Sequence, residues 1–120
     1  MNVEELREYC LSLPKAEENA PWTEPQYQML VTFTVGGKWF CLADIEKKFI
    51  DVKCSPEQIA EIQEKYTGAF PAWHMNKQHW LGVKLESDVP DDVIRRLLKD
   101  GYDLIVSSFS EKIRKELGLQ

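Results

Sequence analysis

The runs QMLVTFTV (28–35) and KWFCLADI (38–45) are separated by Gly36-Gly37 and by nothing else. Both runs are rich in β-branched and aromatic residues. A two-residue connection between strands of this kind leaves room only for an antiparallel hairpin, whose tight turn holds both central residues at positive φ. Glycine adopts that conformation with no side chain in the way. A charged turn, Glu46-Lys47-Lys48, then leads into FIDVKC (49–54). This third strand makes a meander, and the apolar side chains of the meander need a cover.

Helical segments are available to cover it. Residues 2–13 predict a helix capped by Asn2, with Glu4 and Glu5 at its positive end and Val3, Leu6, Cys10 and Leu13 on one face. Pro14 stops it. The polar segment PKAEENAPWTEP, with three prolines, reads as a connector. Ser55-Pro56-Glu57-Gln58 has the form of a capping box and opens a helix with Ile59, Ile62 and Tyr66 buried. Thr67-Gly68 ends that helix, a bend follows near Pro71, and a strand is expected from about His79 to Leu85.

Pro90-Asp91-Asp92 starts another helix, which Asp100-Gly101 is expected to break. YDLIVSSFSEKIRKEL then supplies one or two final helices. The order α, β-meander, α, β, α, α predicts an α+β fold, an antiparallel sheet with helices packed on one face. The 120 residues fit one domain, 1–120, large enough to fold without a disulfide or metal staple.

Cys10, Cys41 and Cys54 are odd in number and widely spaced, so they read as small buried hydrophobes of a reduced, cytoplasmic protein. No apolar run approaches membrane-spanning length, and Met1 leads into a helical pattern rather than a signal peptide. The formal net charge of −5 disfavours polyanions, but it is unevenly distributed. Residues 1–35 carry six acids and two bases, and residues 85–120 carry eight acids and six bases. Residues 36–84 carry seven lysines against six acids, and three of those acids, Glu57, Glu61 and Glu64, belong to one helix.

That middle third contains PAWHMNKQHWLGVKL (71–85), the densest cluster of chemically capable side chains. His74 and His79 are five apart, a spacing that shares a face on neither a helix nor a strand, so no metal site is expected. Cys41 and Cys54 lie in no nucleophile motif, and neither a GxSxG elbow nor a phosphate-binding glycine loop is present. The paired carboxylates Glu17-Glu18 and Asp91-Asp92 read as solvated or helix-start residues. No catalytic residues and no cofactor are expected. Trp73, His74, Asn76, Lys77, His79 and Trp80 do combine flat rings, hydrogen-bonding groups and positive charge, the mixture that contacts bases and phosphates. The competing expectation is that the tryptophans are core. Asn76, Lys77 and Gln78 cannot be core, so part of the segment must face solvent.

PAWHMNKQHW closely resembles the P-x-x-H-M-N-K-x-H-W signature of the MmcQ/YjbR-like proteins. KWFCLADI, DVKCSPEQIAEIQEKY and PDDVIRRLLKDGYDLIVSSF resemble further segments of that family, so the likeness covers nearly the whole chain. Leu81-Gly82 departs from it where Asn-Thr is common. The resemblance implies a CyaY-like (frataxin-like) fold and DNA binding through a double-wing motif, with the Gly36-Gly37 hairpin and the loop around Lys77 as wings. It places the DNA contact on His74, Asn76, Lys77, His79 and Trp80, with Lys38 and Lys53 as weaker candidates. An alternative is a protein- or small-ligand-binding module with Trp39, Phe70, Trp73 and Trp80 around an apolar groove. A third, resting on fold analogy, is iron binding on the acidic first helix through Glu4, Glu5 and Glu8.

Overall fold

The structure is a computed structural model and describes residues 1–119. Its centre is a six-stranded antiparallel sheet, β1 (Ala16–Asn19), β2 (Leu30–Val35), β3 (Lys38–Asp44), β4 (Phe49–Lys53), β5 (Ala69–Pro71) and β6 (Trp80–Lys84), in the spatial order β1-β2-β3-β4-β6-β5. The expected hairpin is present, with Gly36 at φ 58° and Gly37 at φ 79°. Asp44 stabilises the next turn by accepting from the backbone N–H groups of Glu46 and Lys47.

Helices α1 (Val3–Ser12), α2 (Pro56–Lys65), α3 (Asp91–Ser108) and α4 (Glu111–Leu117) complete the α+β fold. Asn2 caps α1 in a reciprocal box with Glu5. Ser55 caps α2 through the Gln58 N–H, but the Gln58 side chain turns away to donate to Asp100 on α3, so only half of the expected box forms. The core lies between one sheet face and the helices. Val31, Phe33, Val35, Phe40, Cys41, Ile50, Val52, Leu81 and Val83 meet Leu6, Cys10, Ile94, Leu97, Leu98 and Tyr102 there. A bulge between Phe33 and Thr34 in the β2–β3 register directs both Phe40 and Cys41 into this layer, and the Phe40 ring meets Tyr102 edge-on.

Three features differ from the sequence reading. The 14–25 segment is not all connector. Ala16–Asn19 pairs with β2 as an edge strand, which the fork between the Arg7 guanidinium and the Glu18 carboxylate (2.7 and 3.0 Å) ties to α1. The stretch AEEN is too polar and short to announce itself as a strand. Likewise Ala69–Pro71 is a three-residue strand hidden in an expected bend.

The third difference is that Gly101 does not break a helix. α3 runs unbroken from Asp91 to Ser108, with Gly101 buried in its middle. A Cβ there would lie 2.6 Å from the backbone oxygen of Lys53. Gly101 therefore marks the place where α3 lies directly on the end of β4, and packing outweighs the helix propensity that glycine lacks.

Candidate nucleic-acid interface and aromatic cleft

The opposite sheet face carries Thr32, Thr34, Trp39, Leu42, Asp51, Trp80 and Phe70. No helix covers it. Two irregular segments do, the 20–29 stretch after β1 and the 72–79 loop between β5 and β6. The loop contains most of the PAWHMNKQHW signature.

A buried carboxylate organises the loop. Asp51, in the middle of β4, accepts from the N–H groups of Trp73 (3.2 Å) and His74 (3.1 Å), one on each oxygen. Burial raises its carboxyl above the ordinary carboxylate range. The two N–H bonds and the charges of His74 and Lys77 oppose that rise. The Lys77 ammonium donates back to the carbonyl of Ala72 (3.2 Å). The Asn76 side-chain oxygen accepts from the Gln78 N–H (2.8 Å), and the His79 carbonyl accepts from the Cys54 N–H (2.9 Å) at the corner leading into α2. The signature thus shapes its own loop while leaving its polar ends outside.

His74, Asn76, Lys77 and His79 are all exposed, as is Trp73 at 65 %. Trp80 is different. At 7 % exposure it is floor rather than contact surface, with the Lys53 ammonium 5.5 Å above its ring. Lys53 is half-buried at the loop's end of the sheet. Lys38 lies on the helix side, its ammonium 5.3 Å from the ring of Phe109, so the sheet separates it from the 74–79 group. The turn glycine Gly36 also rests against Phe109 and Leu117, which cover one side of the hairpin, whereas the space beside Gly37 is open.

The groove differs in membership from the sequence expectation. Phe70 lies across Gly82, where a Cβ would meet its ring at 2.4 Å, and packs edge-on against Phe49. The departure Leu81-Gly82 is thereby accommodated as a seat for an aromatic ring. Trp73 points outward and Trp80 is buried, so of the four expected residues only Trp39 lines the groove. The actual cleft, about 300 Å³, has Trp22 and Tyr27 on one wall, His74 and Met75 on the other, and Leu30, Trp39 and Leu42 as floor.

The sequence reading missed Trp22 because PKAEENAPWTEP (14–25) was read as connector, and Tyr27 and Met75 because nothing local marks either as facing the other. It missed Asp51 because the alternation Phe49, Asp51, Lys53 reads as an ordinary outward face. A carboxylate between Ile50 and Val52 on a central strand was the available signal.

The cysteines offer no nucleophile. All three are buried. Burial pushes the Cys54 thiol up to about 12 and that of Cys41 well above its ordinary value. Among the described residues no three His, Cys, Asp or Glu side chains converge to hold a metal ion, and no helix is long and apolar enough to cross a membrane.

Comparison with known proteins agrees with this architecture. The YjbR family model matches residues 11–104. The chain is 29 % identical to the YjbR protein of Escherichia coli K12 over 98 % of both chains. It is 28 % identical to YyaQ of Bacillus subtilis over 70 % of this chain and 80 % of that protein. The crystal structure of a Deinococcus radiodurans protein with the family-model domain DUF419 superposes with a TM-score of 0.89 at 31 % identity, covering 99 % of this chain and 89 % of that one. A crystal structure from Pseudomonas syringae superposes with a TM-score of 0.73 at 28 % identity, over 87 % of this chain and 98 % of that one. With the signature loop, the sheet order and the match over most of its length, the chain belongs to the YjbR family.

Proposed function

We infer that this protein is a non-catalytic nucleic-acid-binding domain whose contact surface is the 72–79 loop. The observation that carries the reading is the joint exposure of His74, Asn76, Lys77 and His79 beside the exposed Trp73 ring, on a loop whose backbone is already fixed by Asp51. A loop held in place before binding loses little entropy when it meets a ligand. Lys77 keeps ammonium protons for a phosphate after its bond to Ala72, and Asn76 keeps its Nδ2 group for a base or sugar.

The position of Lys38 across the sheet lowers the expected charge of the patch. Lys53 and Lys77 together neutralise about two phosphates rather than three. For a DNA duplex, log affinity should fall against log salt with a slope of about −1.8 instead of about −2.7. The double-wing arrangement reduces to one principal wing, the Lys77 loop, flanked by the Gly37 side of the hairpin.

A salt-series titration of wild type and Lys77→Glu with duplex and single-stranded DNA tests the reading. The slope should be shallow and negative, and the variant should bind several-fold more weakly at low salt. Affinity that ignores both salt and charge reversal would remove the nucleic-acid reading. The cleft favours a second reading, a small-ligand module: its volume and aromatic walls suit a compact ring system. Binding of small aromatic compounds with no binding of oligonucleotides would select it.

A further inference from the structure

We propose that the cleft between the 20–29 segment and the 72–79 loop receives one unpaired base, so that single-stranded nucleic acid is preferred over duplex. This rests on the nucleic-acid reading and specifies which strand state the site takes.

The first argument is ring geometry. Trp22 and Trp39 meet at 5.5 Å with 70° between their planes, and Trp22 and Tyr27 at 6.2 Å with 52°. Rings in edge contact leave their faces available to a third ring. Leu30 and Leu42 beneath and Met75 opposite add apolar contact, while the His74 imidazole, the Tyr27 hydroxyl and the indole N–H groups are the polar groups among the lining side chains. A largely apolar slot with a few hydrogen-bonding groups suits a planar heteroaromatic ring. At about 300 Å³ it is large enough for one base, and a base still paired and stacked in a duplex does not present its faces to it.

The second argument is continuity. His74 and Met75 form the cleft wall, and Asn76 and Lys77 follow directly on the exposed loop. Lys77 itself lies in the next groove, against Pro56, Ile59, Ala60 and Gln63 of α2, so a strand with one base in the cleft reaches Lys77 with a phosphate further along, after passing Asn76.

Charge gives the third argument. No carboxylate lines the cleft. Asp51 stands behind the loop with both oxygens bonded to N–H groups. Glu17 lies past Trp39 in the adjoining recess with Asn19, Thr32 and Thr34. Phosphate is attracted at the Lys77 side and repelled at the Glu17 side, which fixes the direction from which a strand approaches. Stacking accepts every base, so the preference is for strand state rather than sequence.

The test compares three probes of equal length at low salt: single-stranded oligothymidylate, the same backbone with abasic sites, and duplex. The oligothymidylate should bind about tenfold more tightly than the other two. Trp22→Ala and Met75→Ala, both on loops, should reduce its affinity to the abasic level without changing duplex binding, and Trp39→Ala should agree if it folds. Lys77→Glu should weaken all three probes. Equal binding of abasic and base-bearing strands, or cleft variants with no effect, overturns the base pocket while the nucleic-acid reading stands. Absence of binding by all three probes overturns both. Thymidine or indole binding in the cleft alongside unresponsive oligonucleotides overturns the proposal in favour of a small-ligand site.

Discussion

The two faces of this sheet solve the same burial problem in opposite ways. Under the helices, every side chain that β4 and β6 present is apolar: Ile50, Val52, Leu81 and Val83. Contact there is close enough that α3 needs a glycine at 101. On the other face, the same strands present Asp51, Lys53, Trp80 and Gly82, and β2, on the far side of β3, buries Thr32 and Thr34. Helices satisfy their own backbone groups and can lie on hydrocarbon. Loops cannot, so a face covered by loops must supply acceptors to them. Asp51 supplies two, to Trp73 and His74. The helix face is thus where stability is concentrated, and the loop face is where exposed polar and aromatic side chains collect.

The largest effect expected from breaking this contrast is at Gly101. A valine there forces α3 away from the Lys53 carbonyl and should cost about 3 kcal/mol, read from urea unfolding. Alanine sharpens the point. At an unconstrained helix position it would gain up to about 1 kcal/mol over glycine. At 101 it should destabilise, and a stabilised G101A would show that the contact is loose.

Next is Asp51. Replacing it with alanine strands two N–H donors and should cost about 1–3 kcal/mol. Amide hydrogen exchange at Trp73 and His74 should accelerate while the helix-face strands keep their relative protection. Uniform acceleration would mean that Asp51 supports the whole fold rather than the loop.

Asp51→Asn probes the same residue through pH. Burial raises the folded carboxyl above its ordinary range. Between the unfolded and folded values, the folded chain holds a proton that the unfolded chain has released. Stability therefore falls as pH rises through that interval and is level above it. The asparagine variant lacks this contribution. The wild type should show a downward slope, relative to the variant, in melts across the acid range. Parallel curves would mean that the carboxyl is not desolvated.

The smallest stability effect belongs to the exposed loop. Lys77→Glu should shift unfolding by about 1 kcal/mol or less, because the side chain is exposed and loses a single bond, to the carbonyl of the buried Ala72. Its effect on oligonucleotide affinity should be much larger in proportion. A strongly destabilised K77E would place Lys77 in the scaffold.

This contrast also explains how much was legible beforehand. The helix-facing half could be read because its signals are local: the Gly36-Gly37 turn, the Ser55 cap and the apolar stripes Leu6, Cys10 and Ile59, Ile62. The break expected at Gly101 was a misreading there, because glycine's propensity is local while the reason for it, contact with Lys53, is forty-eight residues away in the chain. On the loop face nearly every determinant is of that second kind. Exposure of Asn76, Lys77 and Gln78 was legible from residue type, whereas that of His74 and His79 was not. The separation of Lys38, the burial of Trp80 and the cleft role of Trp22 and Tyr27 depend on which face of a strand meets which loop. The bulge at Phe33/Thr34 resets that alternation partway along the hairpin.

The central claim, that the loop-covered face is the nucleic-acid site, is tested most directly by titrating labelled protein with single-stranded oligothymidylate at low salt while following backbone amide and tryptophan indole resonances. The account predicts that shifts concentrate at Trp22, Tyr27, Trp39 and residues 73–79, and fade as salt is raised. Shifts confined to the helix side around α1 and α3, or spectra unchanged at saturating oligonucleotide, would contradict it.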